Sequence, residues 1–89
     1  MRVKIAKNAL CGNAVIPSND YWVSLNSEAG EMTLSAGGKD IRVKAVRRRA
    51  TTKTKTSSVQ FFSGGGKTWS LIFIAPKYGE WVAFIEFTE

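Results

Sequence analysis

Apolar residues along this chain recur at every second position, as in Val3 and Ile5, Val23 and Leu25, Met32 and Leu34, and Ile41 and Val43. No stretch keeps helical spacing over eleven or more positions, and glycine-bearing clusters separate the alternating runs. This pattern predicts strands near 20–26, 31–36 and 39–48, then near 57–63, 67–75 and 80–88, with an N-terminal strand near 2–7. Residues 11–20, with Gly12, Pro17, Ser18, Asn19 and Asp20, read as a loop. Two three-stranded meanders plus one strand predict a single all-β domain over residues 1–89. It would be a small barrel or two-sheet sandwich of about six to seven antiparallel strands.

Turn chemistry sets the register. Gly37-Gly38 suits a two-residue hairpin. It would pair Leu34 with Ile41 and Met32 with Val43 on one face, and Thr33 with Arg42 and Glu31 with Lys44 on the other. A one-residue slip would destroy both the apolar and the charge matches. A loop at Ser27-Glu28-Ala29-Gly30 would pair Leu25 with Met32 and Val23 with Leu34. A loop at Gly64-Gly65-Gly66 would pair Phe61 with Trp69 and Val59 with Leu71, and Pro76-Lys77-Tyr78-Gly79 forms a further turn.

Strands 67–75 and 80–88 are apolar on both sides. Leu71, Phe73, Val82 and Phe84 are expected on one side, and Ile72, Ile74, Trp81, Ala83, Ile85 and Phe87 on the other. Such strands are covered twice. The cover is either the N-terminal segment or a second copy of the chain, giving a homodimer through these two strands.

Composition narrows the chemistry. There is no His, which removes imidazole from any catalytic or metal site, and the lone Cys11 can form no internal disulfide or thiolate cluster. The acidic residues are scattered, so no cofactor or metal is expected, and the chain reads as non-catalytic. Its longest apolar run, Leu71 to Ala75, falls far short of the ~20 residues a membrane span needs. Lys7 and Asn8 interrupt any secretory core after the basic start. A cytoplasmic chain without membrane association is the expectation.

Charge singles out one segment. The chain has 13 basic and 7 acidic residues, net +6. Seven of those basic residues, Arg42, Lys44, Arg47, Arg48, Arg49, Lys53 and Lys55, fall within 42–55, where no acid occurs. The Thr- and Ser-rich stretch 47–58 carries nothing apolar beyond Ala50, so it is expected as a protruding basic connection or β-ribbon. Arg42, Lys44 and Arg48 share an outward parity, as do Arg2 and Lys4 on the first strand. Placing that strand beside 39–48 would gather five basic residues on one face. Trp22 would lie near them, either as an ordinary half-buried aromatic or as a stacking platform. The stretch Ser63-Gly64-Gly65-Gly66-Lys67-Thr68 lacks the first glycine of a P-loop and leads into a strand, so it reads as a hairpin, with Lys67 and the loop amides offering at most a weak phosphate contact.

A basic face, an aromatic platform and a basic arm together point to nucleic-acid binding, single strands favoured, with little sequence preference. Arg47, Arg48, Arg49, Lys53 and Lys55 would grip phosphate, Arg42, Lys44, Arg2 and Lys4 would extend the track, and Trp22 would stack. In length, charge and β content the chain resembles the single-stranded DNA-binding proteins of filamentous phages, a likeness of composition from which no residue role is taken. The alternative is a protein-interaction module, such as a small phage or mobile-element inhibitor or adaptor, whose basic patch meets an acidic surface on a host complex.

Overall fold

A computed structural model describes residues 1–63 and 65–88 of the chain. It is all-β, with two antiparallel sheets facing each other as a sandwich that does not close into a barrel. The first sheet has the order β1 (Arg2–Ile5), β4 (Asn19–Asn26), β5 (Glu31–Ala36), β6 (Lys39–Lys44). The second runs β3 (Ala14–Ile16), β2 (Ala9–Cys11), β10 (Gly79–Phe87), β9 (Thr68–Ala75), β8 (Ser58–Ser63). Its sixth strand, β7 (Val46–Arg49), pairs with the start of β10, on the edge whose far end pairs with β2.

The glycine hairpin forms as its side-chain pattern requires. Gly37 and Gly38 take φ of 57° and 81°, and all four expected pairs are present, Leu34 with Ile41, Met32 with Val43, Thr33 with Arg42 and Glu31 with Lys44. The 27–30 loop likewise sets Leu25 against Met32 and Val23 against Leu34. Met32, Leu34 and Val43 are fully buried beside Ile5, Ile16, Leu71 and Ile85 from both sheets. Truncating any of the larger ones to Ala should cost about 2–5 kcal/mol.

Four local expectations change. Residues 11–20 are not all loop: Ala9–Cys11 and Ala14–Ile16 form a short hairpin turning at Gly12 and Asn13. The strand expected over 39–48 divides at buried Ala45, whose N–H still donates to the Gly30 carbonyl of the first sheet (2.8 Å), while Val46 already pairs with Val82 of the second. The loop before β9 is longer than expected, so Phe61 pairs with Leu71 and Ser63 with Trp69, a two-residue shift that keeps every side chain on its expected face. Gly64, the first residue assigned to that loop, lies outside the described residues.

The fourth change is a one-residue shift that swaps faces. Only Pro76, Lys77 and Tyr78 separate the paired residues Ala75 and Gly79. Leu71 therefore stands opposite Ala83 and Phe73 opposite Trp81, all facing the core, while Val82 opposes Ile72 and points outward with Phe84. The expected grouping of Leu71 and Phe73 with Val82 and Phe84 is thereby corrected.

Gly79 is fixed by a long-range approach. Its φ is 85°, and a Cβ there would sit 2.0 Å from the Arg49 carbonyl oxygen and 2.9 Å from the Ala50 carbonyl. Gly38 has a similar φ of 81° with open space around it. Gly79→Ala should lower stability by about 3 kcal/mol or more, and Gly38→Ala by about 1–2 kcal/mol, the backbone penalty alone. Urea unfolding of the two variants checks this, and equal losses would refute the close-approach argument.

Candidate functional site

The outer face of the first sheet presents its polar side chains in cross-strand rows. One row holds Arg2, Trp22, Ser35 and Asp40, and the next Ser24, Thr33 and Arg42. A further row holds Asn26, Glu31 and Lys44, and at the opposite end Lys4 stands opposite Asp20. Trp22 occupies an inner strand with 59% of its surface exposed, so it is not half-buried packing. The Arg2 guanidinium lies 5.6 Å from its ring centroid, within cation–π range. Strand alternation dictates this outcome, because Tyr21 and Val23 on either side are buried.

The five-residue basic face does not form as expected. β1 does not lie beside β6; β4 and β5 intervene, so Arg2 and Lys4 are three strand spacings, about 14 Å measured across the sheet, from the strand of Arg42 and Lys44, and in different rows as well. Arg48 is not in their set either, because the chain has changed sheets at Ala45. Acids are interleaved too, with Asp40 accepting from the Ser35 hydroxyl (2.7 Å) and Glu31 opposite Lys44.

Arg47, Arg48 and Arg49 are exposed on β7. Arg47 stands opposite Trp81 and Arg49 opposite Glu80, with Arg48 at the irregularity between them. The Arg49 Nε lies 3.4 Å from Glu80 Oε2, the one ion pair among the described residues. The stretch 50–57, with exposed Lys53 and Lys55, contains no strand. It leads from β7 to β8, the far edge of the same sheet. Its first residues flank Ile74 and Glu80 and its last flank Ala75 to Tyr78, so it runs against the end of the β9–β10 hairpin.

Two further surfaces stand out, the first expected from the two-sided apolar strands 67–75 and 80–88 and the second missed by the sequence reading. One is the outer face of the second sheet, where Phe62, Phe84, Val46, Leu10 and Val15 are exposed together. The N-terminal strand belongs to the first sheet and does not cover this face, whose central Ile72 and Val82 are nonetheless buried and whose Ile74 is flanked by the 50–54 stretch. The other is a groove between the unpaired edges of β1 and β8, lined by Phe61, Trp69 and Phe87 with three lysines. The signal available for it was the Phe61–Trp69 proximity and Lys67 in the glycine loop.

Among the described residues no group of three carboxylate or thiol side chains comes together, and no helix is long and apolar enough to cross a membrane. No protein-family model, curated protein or solved structure matches this chain.

Two groups titrate unusually, both through burial. The Tyr21 phenol is pushed up, and it donates to the Pro17 carbonyl. Burial likewise pushes the Cys11 thiol above its ordinary value of 9.0, only partly offset by a backbone hydrogen bond from Lys44. A raised value favours the protonated thiol in the folded chain, so the linked stability is complete below 9.0 and is lost as pH rises through the folded value. Alkylation of Cys11 by iodoacetamide at pH 8 should therefore run several-fold slower than that of N-acetylcysteine and recover in urea. Equal rates in the folded chain would contradict a half-buried thiol held protonated.

Proposed function

We propose that the chain is a non-catalytic cytoplasmic protein that binds single-stranded nucleic acid with little sequence preference. The observation carrying this reading is the exposed Trp22 ring on an inner strand of an open sheet face, with Arg2 beside it. Exposed aromatics on a sheet accept unpaired bases of any identity, because every base offers a π-face. Arg2 supplies charge at that platform. Lys4, Arg42 and Lys44 supply further phosphate contacts at its margins, diluted by Asp20, Glu31 and Asp40. Most phosphate binding is therefore assigned to Arg47, Arg48, Arg49, Lys53 and Lys55, of which Arg49 is the one in an ion pair among the described residues. Only Ala45 and Val46 separate Lys44 from Arg47, so the face and the arginines adjoin.

About five phosphates neutralised give a log–log salt slope of roughly −3.5 for single strands. Fluorescence titration with an oligothymidylate at two salt concentrations measures it. Trp22→Ala should weaken binding by about 1–3 kcal/mol at unchanged thermal stability. Changing Arg47, Arg48 and Arg49 to Gln should weaken all sequences alike and flatten the slope. A slope near zero in the parent chain would sink the reading.

A protein partner is favoured by one observation, the exposed apolar side chains around buried Ile72 and Val82 on the outer face of the second sheet. The occupant proposed is a second copy, packed face to face through β9 and β10 with Phe62, Phe84 and Val46 in the contact. Apolar residues exposed together on one face mark interaction sites, whereas singly scattered ones do not. The arrangement leaves the opposite layer, with Trp22, free. Phe84→Glu should convert a dimer into a folded monomer in sedimentation velocity, and a parent chain that is monomeric at hundreds of micromolar would exclude this contact.

A further inference from the structure

The two sheets are joined on one side, where the chain passes from β6 into β7, and open on the other, where β1 and β8 end their sheets unpaired. The opening is a groove of about 400 Å³. Phe61, Trp69 and Phe87 line it, and Lys4, Lys7 and Lys67 complete its sides. The rings form one cluster, with centroids 4.8 Å apart for Phe61 and Trp69 at a tilt of 30°, and 5.5 Å for Trp69 and Phe87 at 61°. All three are only partly buried, so ring surface remains available to a ligand. No carboxylate lines the groove, and none of the three lysines belongs to an ion pair among the described residues.

Its walls are held in place. The Lys67 carbonyl accepts from the Phe87 N–H (2.9 Å), fixing that lysine's backbone beside the ring. Residues flanking Lys7 are tied on both sides: the Ala6 carbonyl accepts from the Ser18 hydroxyl (3.0 Å), and the Asn8 carbonyl accepts from the Thr88 N–H (3.0 Å) and hydroxyl (3.1 Å). A preorganised aromatic surface with three lysines at its sides, of which Lys4 alone stands opposite an acid, Asp20, and with no carboxylate among its described lining residues, selects a planar ligand bearing negative charge on more than one side. Purely aliphatic anions would leave the rings unused, and neutral aromatics would leave the lysines unused.

We infer that this groove holds one unpaired nucleobase against the Phe61–Trp69–Phe87 cluster, with its adjoining phosphates on Lys4, Lys7 and Lys67. The inference rests on the single-strand reading for the polymer that supplies the base. Lys4 connects the two surfaces, since it stands one alternation from Arg2 on β1 and also lines the groove. A strand stacked on Trp22 can thus pass over the β1 edge and insert a base between the sheets.

The indole N–H resonances of Trp22 and Trp69 separate the surfaces in a proton–nitrogen correlation spectrum. Titration with a twelve-residue oligothymidylate should shift both, and an abasic strand of equal length should leave Trp69 unmoved. Thymidine monophosphate should shift Trp69 at millimolar concentration. The double variant Lys7→Gln with Lys67→Gln, both lysines exposed, should bind the oligonucleotide about tenfold more weakly at low salt and with a slope smaller by about 1.4. A shift of Trp22 alone overturns the groove assignment while leaving the single-strand reading intact. A shift of Trp69 with the mononucleotide but no oligonucleotide binding upholds the base site and defeats the single-strand reading. Equal movement of Trp69 with hexaglutamate or with the abasic strand overturns the inference, because the base would then be dispensable.

Discussion

The chain changes layer at Ala45, and much of the molecule's arrangement follows from that single step. Its N–H remains bonded to Gly30 in the first sheet while the next residue enters the ladder of the second. A backbone group left unpaired at such a crossing would be costly in a buried position, and this hydrogen bond removes that cost. Ala45 is 5% exposed, and the site opposite is Gly30, where a Cβ would stand 3.5 Å from the Ala45 carbonyl oxygen and 3.9 Å from the Trp81 ring. Small residues here let two backbones and an indole converge. The Trp81 Nε1–H donates to the Tyr78 carbonyl (2.7 Å), so the ring enters this corner without an unsatisfied donor.

That step also distributes the charge. The basic run from Arg42 to Arg49 reads as one patch in sequence, yet Arg42 and Lys44 lie on one sheet and Arg47, Arg48 and Arg49 on the other. Glu31 and Asp40 are interleaved with the first group, whereas in the second Arg49 pairs with Glu80 and Arg47 shares a surface hollow with Glu28. Charge counted along the chain therefore overstated the face and understated the division. The acids share the face because antiparallel pairing sets them in register with the bases, and such pairs serve the sheet as much as any ligand.

Local pairing was legible where both faces of a strand pair carried information. At Gly37-Gly38 apolar partners and opposite charges agree on one register, so nothing distant was needed. At Pro76 to Gly79 both three- and four-residue turns satisfied local chemistry. The choice was made by Arg49 and Ala50 passing against Gly79, a contact 29 to 30 residues away in sequence. The β2–β3 hairpin carried a usable signal, Gly12-Asn13 between two apolar triplets, but strands of three residues are hard to distinguish from loop. The neighbour of β1 was not legible at all, because its alternation is equally compatible with several strands. The exposure of Trp22 did follow from alternation, whereas the groove required the order of both sheets.

The sandwich is closed at one corner and open at β1 and β8. At the closed corner Gly30 and Ala45 set a short distance between layers. At the other side Phe61, Trp69 and Phe87 form one tilted, edge-on cluster that lines the groove. β1 and β8 approach one another beside this cluster but do not pair. Their unpaired edges thus flank the aromatic cluster. Lysines beside those edges discourage pairing with another chain's strand, a familiar protection for exposed strands. Their partnership with aromatic rings goes beyond that protection, because edge blunting requires charge but has no need of a π-surface behind it.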